Sequence, residues 1–256
     1  MRLSRATVAL VLLGAGATPA GAAPEEIQVY VDEMNRPGQF GLDVHNSYVL
    51  TGQLAEAYPG EQPSLHRYRC TPEFSYGLTR FLELGLYVPL ATIDRDARVG
   101  ADGVKARLKL VAPRAAAQPW FWGGDFEIGA VDHALDANPY NAELKGIGGV
   151  RAGGWLAALN VDLDFKVSGP ASSPPSLALD TKVSYELAHE VAVGVETYNG
   201  AGELRSLGHF GRSEQSTFVT VDARRGTWEL NVGIGSGYGA NPDRLILKVI
   251  VGIPID

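Results

Sequence analysis

Long stretches in which apolar and polar residues alternate one by one constrain this chain more than any other feature. Period-two alternation belongs to a strand whose two faces meet different surroundings. In Phe81–Leu90, Leu82, Leu84, Leu86, Val88 and Leu90 share one face, while Glu83, Gly85 and Tyr87 take the other. Val104, Ala106, Leu108 and Leu110 oppose Lys105, Arg107 and Lys109. Trp155, Ala157, Leu159, Val161, Leu163, Phe165 and Val167 oppose Asn160, Asp162, Asp164 and Lys166. Trp228, Leu230, Val232 and Ile234 alternate with Glu229, Asn231 and glycine.

Extended along the chain, the same rule predicts strands over 39–51, 66–77, 80–91, 103–112, 120–132, 143–152, 155–167, 177–188, 191–198, 215–223, 227–236 and 244–254. Most are long enough for a tilted membrane strand of roughly 9–11 residues, where ordinary strands average about 5–6. The joins sort by parity. Leu78-Thr79, Gly153-Gly154, His189-Glu190 and Arg224-Arg225-Gly226 are tight, with Pro113–Pro119 the longer member of that set. Gly52–Leu65, Thr92–Asp102, His133–Ala142, Ser168–Ser176, Asn199–Glu214 and Gly237–Asp243 are mostly longer. Short turns at one end and long loops at the other are the habit of membrane barrels. A soluble sandwich has no reason to sort its loops this way. The reading is an all-β protein, an antiparallel up-and-down transmembrane β-barrel of about twelve strands.

The start of the chain agrees with export. Arg2 and Arg5 precede the apolar run Ala6–Ala15, and Pro19 precedes the small residues Ala20-Gly21-Ala22-Ala23. That is the layout of a secretory signal peptide, expected over 1–22 with cleavage near 22/23. The apolar run is too short for a spanning helix of roughly 20 residues. Beyond it no sustained helical spacing of apolar residues occurs, and the run Leu245–Val251 is broken by Lys248. A chain with no spanning helix can cross a bilayer only as a closed barrel, since every backbone polar group must be satisfied there. The domain plan is then a signal peptide, a periplasmic N-terminal segment over 23–38 and a barrel over 39–256. Ile27–Glu33 also alternates; it suits a periplasmic extension, a segment tucked into the lumen, or an added strand.

Parity alone does not say which face points inward. Three features favour apolar-out. The apolar face is continuous over long strands and rich in large side chains. Phe40, Tyr48, Trp120, Trp122, Trp155 and Trp228 sit near strand ends, as in an interfacial girdle. Charges fall in mid-strand in complementary blocks: Lys105, Arg107 and Lys109 would face Asp125 and Glu127 on one side and Glu83 on the other. The candidate lumen-lining set is Asp43, His45, Glu83, Lys105, Arg107, Lys109, Asp125, Glu127, Asp162, Asp164, Lys182, Glu186, Glu196 and Glu229. Such charges would set ion selectivity.

Formal charge is −7, and losing Arg2 and Arg5 takes it to about −9, which argues against nucleic acid as a partner. Cys70 is the only cysteine, so no intramolecular disulfide forms. No phosphate-binding loop, GxSxG elbow or HExxH motif is present; Gly146-Ile147-Gly148-Gly149 suits close packing or a bend. His45 and Ser47 share a face, the geometry of a base beside a hydroxyl nucleophile, but they share it with Asp43 and so with the lumen, whereas a lipid hydrolase needs its nucleophile facing lipid. His133 with Asp132 and Asp136, and His209 near Glu203 and Glu214, are weak loop candidates for a metal. No catalytic residue, metal or cofactor is assigned.

The signal peptide, the twelve-strand meander and the segment Pro72-Glu73-Phe74-Ser75-Tyr76-Gly77-Leu78-Thr79 followed by Leu82-Glu83-Leu84-Gly85-Leu86 resemble the outer-membrane transporters grouped with the phenol-degradation meta-pathway proteins. The resemblance implies a channel for small molecules, hydrophobic ones included, and supplies no catalytic residues. Its expected partners are outer-membrane lipids, the barrel-insertion machinery and a small-molecule solute. The chain departs from many such barrels in ending on Asp256 and not on an aromatic residue. Two other readings stay open here: a soluble periplasmic or secreted β-protein with a lipid-like ligand inside, and an outer-membrane lipid hydrolase using His45 and Ser47.

Overall fold

The computed structural model of the chain describes residues 26–88, 91–115, 117–169, 174–208 and 212–255. The expected signal peptide and its cleavage point lie outside the described residues, as does His209. The strands are β1 (Phe40–Thr51), β2 (Tyr68–Gly77), β3 (Leu82–Tyr87), β4 (Ala91–Ile93), β5 (Val99–Ala101), β6 (Gly103–Val111), β7 (Trp120–Val131), β8 (Tyr140–Ala152), β9 (Trp155–Ser168), β10 (Ser176–Ala188), β11 (Val191–Glu203), β12 (Glu214–Arg225), β13 (Trp228–Gly239) and β14 (Leu245–Ile255).

Every ladder is antiparallel, and neighbours in sequence are neighbours in space. β3 and β4 lie end to end along β2, pairing with Glu73–Gly77 and Tyr68–Cys70 respectively. β5 and β6 continue one another on the far side of them, so each pair is one strand with a break. The wall thus has twelve strands. It closes where β1 pairs with β14, from Phe40 opposite Ile255 to Thr51 opposite Leu245, and with β2 on its other edge. Closure leaves the main wall no open edge, which is what a sheet in hydrocarbon requires; the short β5 extension pairs with β4 alone.

The turns follow from local chemistry. Gly153 and Gly154 both have positive φ (58° and 82°), the pair of conformations that a two-residue hairpin turn demands. Segment 92–102, expected as a loop, instead carries the hairpin outward through β4 and β5. Its tip is Asp94–Arg98, where Asp94 Oδ1 accepts the backbone N–H groups of Asp96 and Arg98, both at 2.8 Å. An aspartate closing its own turn this way needs no long loop.

The two faces settle the orientation. Leu84, Leu86, Leu108, Leu110, Phe126 and Ile128 are among the exposed outer residues, while Glu83, Arg107, Lys109, Asp125 and Glu127 on the same strands are buried within the barrel. That is the reverse of a soluble barrel and the arrangement of one whose outside meets lipid. At the short-turn end Phe40, Trp120, Trp122, Trp155 and Trp228 face outward, with Phe40 against Tyr76 and Trp155 against Tyr185 at ring-centroid distances of 4.6 and 4.8 Å. At the long-loop end the exposed aromatics include Tyr140 and Tyr238. Ten residues separate Trp228 from Tyr238 along β13; at ~3.3 Å per residue and ~40° of tilt that spans ~25 Å, the height of an apolar band. Leu108→Arg is therefore expected to cost ~2–4 kcal/mol, read as a lowered urea midpoint for folding into lipid vesicles. An unchanged midpoint would put this face away from lipid.

Candidate functional site

The site is the lumen, and its walls are built by parity. Asp43 and His45 come from β1, Glu83 from β3, Lys105, Arg107 and Lys109 from β6, and Asp125 and Glu127 from β7. Asp162 and Asp164 come from β9, Lys182 and Glu186 from β10, Glu196 from β11 and Glu229 from β13. All share the inward face of their strands. Glu186 and Glu229 stand at the rim of the short-turn mouth, where they meet water. Register places Arg107 opposite Glu127, and Lys109 between Asp125 and Glu83.

Arg107 is the hub of one cluster, 2.6 Å from Glu73 and 2.8 Å from Glu83. Lys182 lies 3.1 Å from Glu196 and 2.9 Å from Asp222, and Lys248 bonds Glu196 from the opposite side. Lys145 joins Glu143 at 2.7 Å and Asp162 at 3.5 Å. Charges buried this deeply survive only when paired. Glu73, Lys145, Asp180 and Lys248 are lumenal residues that the alternation alone did not single out. Lys248 had a signal, as the one charge in the apolar run of β14. Lys145 had little, because the glycines around it blur the alternation.

The lumen is not empty. Residues 26–38, expected as a periplasmic segment, run from the short-turn mouth up into the barrel. Of the three roles open to Ile27–Glu33, the structure takes the second, a segment tucked into the lumen. The entry is fixed by Gly38 N–H donating to Gly77 O at 2.8 Å and Gly77 N–H donating to Gln39 O at 3.0 Å. Further in, the wall grips the main chain with side chains. Asn35 N–H donates to Glu83 at 2.6 Å, Lys109 Nζ to Glu33 O at 2.8 Å and Lys248 Nζ to Ile27 O at 2.8 Å. Asn160 clamps Tyr30 on both sides, accepting its N–H at 2.6 Å and donating to its carbonyl at 3.0 Å. At the mouth Arg114 and Arg151 hold Asp32, while Arg151 and Arg224 hold Glu33.

Tyr30 fills the centre. Its hydroxyl lies 2.6 Å from that of Tyr87, and Arg107, Lys109 and Lys145 approach its ring at 5.4, 4.9 and 4.9 Å from the centroid. Such cation–π contacts strengthen when water is excluded. Val29 and Tyr30 pack on Phe121, Ile147 and Ala158, an apolar cluster beside the charged groups of the interior. Gly149 permits it: a Cβ there would lie 2.2 Å from the Phe121 ring. The close-packing role read for the glycine run thus falls on Gly149.

The segment divides the space. Towards the short-turn mouth lies a cavity of about 760 Å3, lined by Gln28–Val31, Glu33–Asn35, Lys182, Glu196, Asp222 and Glu229. Towards the loops lies a second, much smaller cavity of about 40 Å3, between Ile27, Arg67, Arg69, Tyr198, Phe218 and Asp243. His45 Nε2 bonds Glu73 at 3.2 Å, and Ser47 lines the upper space, so neither faces lipid. Among the loop histidines, His133 Nε2 lies 3.0 Å from Pro59 O and packs beside Tyr58, so it serves loop structure.

No protein-family model matches the sequence, and no curated protein matches it. Solved structures do. The chain is similar to the COG4313 outer-membrane channel from Pseudomonas putida F1 (13% identity, TM-score 0.60, covering 90% of this chain and 100% of that one). It is also similar to the KdgM porin (11%, TM-score 0.57, 84% and 99%) and the NanC porin (10%, TM-score 0.55, 84% and 99%). At these identities the likeness is one of fold. Together with the outward apolar band and the aromatic girdles, it defines the class: a transmembrane β-barrel with the fold of outer-membrane channels.

Proposed function

We propose that this chain is a channel for small solutes, closed in the state described by its own N-terminal segment and opened when that segment shifts. The observation that carries the reading is a charge-lined lumen blocked by a strap held through side-chain bonds and not through a ladder. A strap of that kind can leave without tearing the wall. Charges of both signs favour small polar or zwitterionic solutes over the hydrophobic ones that the family resemblance implies. Outer-membrane lipids and the barrel-insertion machinery are its expected partners. The reading involves no chemistry: His45 serves Glu73 and not Ser47. A lipid-like ligand inside is disfavoured, because the interior carries the charges and the exterior the apolar residues.

The test is conductance in planar bilayers. Wild-type protein is expected to give small, fluctuating ion currents. Lys105→Gln with Lys109→Gln is expected to shift reversal potentials in a salt gradient towards cation selectivity, because two positive groups leave the lumen. Absence of any current would overturn the channel reading, and unchanged selectivity would remove these lysines from the conducting path.

A further inference from the structure

One cluster in the lumen exceeds what the channel needs. Glu26, His45 and Glu73 bring a carboxylate oxygen, an imidazole nitrogen and a second carboxylate oxygen together, all within 4.8 Å of one another. His45 Nε2 lies 3.2 Å from Glu73 Oε2 and 3.9 Å from Glu26 Oε2. Ligands at ~2.0–2.2 Å from a tetrahedral ion stand ~3.4 Å apart, so little movement is needed to seat one. The other oxygens are already committed. Glu26 Oε1 accepts from the Tyr30 hydroxyl at 2.8 Å, and Glu73 Oε1 faces Arg107 at 2.6 Å. Such outer donors orient carboxylates for a metal. Of the atoms that face one another, Glu26 Oε2 is buried without a hydrogen bond, while His45 Nε2 and Glu73 Oε2 bond each other; His45 is only 2% exposed, and its other ring nitrogen, Nδ1, also lacks a hydrogen bond.

We infer that Glu26, His45 and Glu73 form a binding site for a divalent transition-metal ion, Zn2+ being the natural probe. The imidazole selects against Mg2+ and Ca2+, which prefer all-oxygen cages. The ion neutralises a carboxylate pair that Arg107 alone does not balance. It also joins three parts of the molecule: Glu26 belongs to the N-terminal segment, His45 to β1 and Glu73 to β2. Bound metal therefore pins the segment to the wall at its inner end. This last consequence rests on the channel reading; metal binding itself does not.

The experiment uses untagged, chelator-stripped mature protein in detergent, titrated with Zn2+ against a chromophoric competitor. One ion per chain is expected, with His45→Ala and Glu26→Gln each weakening binding by ~10-fold or more, and His133→Ala leaving it unchanged. Glu26→Gln lies in the segment and not in the wall, so it reports even where a wall variant misfolds. No stoichiometric binding, or binding that survives both substitutions, would overturn the site. Conductance separates the two ideas. Zn2+ that binds and suppresses current in wild type but not in Glu26→Gln supports both. Zn2+ that binds without altering current keeps the site and removes its pinning role.

Discussion

Deleting residues 26–36 is expected to raise single-channel conductance at least severalfold. Barrels of about 8 strands are filled by their own side chains, whereas those of 16–18 hold a water-filled channel. Twelve strands lie between, with room for the wall's side chains plus one extended chain, and Glu26–Gly38 is that chain. With it removed, the 760 Å3 cavity below and the space under Arg67 and Arg69 become one passage. Gly38 and Gln39 and their bonds to Gly77 stay, so the start of β1 remains anchored. Heat-shifted gel mobility establishes that the deletion variant is folded. If it is folded and conducts like the wild type, the segment is not the barrier. A milder variant, Asn160→Ala, removes both bonds to Tyr30 and is expected to increase opening frequency with little change in the open level.

The second large effect concerns stability. Arg107→Met leaves Glu73 and Glu83 facing one another without their shared cation. Breaking one partner out of a buried ion cluster costs ~3–5 kcal/mol, mostly through the uncompensated charge left behind. Glu73, Glu83 and Arg107 line the short-turn cavity, and access of solvent to them moves the expectation to the lower end, about 3 kcal/mol, read as a lowered urea midpoint in vesicles. Adding Glu73→Gln should restore part of the loss, because one stranded charge goes with it. An unchanged midpoint for Arg107→Met would mean that these carboxylates stay hydrated and the cluster contributes nothing to the fold.

The wall was legible because its faces differ so sharply. Val104–Leu110 sets outward apolar residues against lumenal Lys105, Arg107 and Lys109, Leu82–Tyr87 sets leucines against Glu83, Gly85 and Tyr87, and the ladder places Glu83 opposite Lys109. Strand ends at the loop side were less legible. β11 runs on to Glu203 and β13 to Gly239, through polar and glycine-rich sequence that pairs without alternating. Segment 92–102 misled for a related reason: its strands are three residues each, too short for a period to show. The lumen set was found wherever charge interrupted apolar residues. It missed Glu73 because a proline and aromatics surround it, and Asn160 because an uncharged amide carries no sign of being a clamp. The N-terminal segment was the hardest. Ile27–Glu33 alternates like a strand because it is extended, yet its backbone is bonded by Lys109, Asn160 and Lys248. Nothing in local pattern distinguishes an extended chain held by distant side chains from one held by a neighbouring ladder.

The segment's grip has one more consequence. Lys109, Asn160 and Lys248 hold carbonyls, and carbonyls are the same in every residue. The segment therefore behaves as a tethered ligand whose main-chain bonds add to those made by the side chains of Tyr30, Asp32 and Glu33. Its effective concentration at the lumen, set by the short link at Gly38, is roughly millimolar or higher. A handful of bonds that would be negligible for a free peptide is then enough to keep the barrel shut. The same weakness lets the strap be displaced by anything that competes for those few donors from within the barrel.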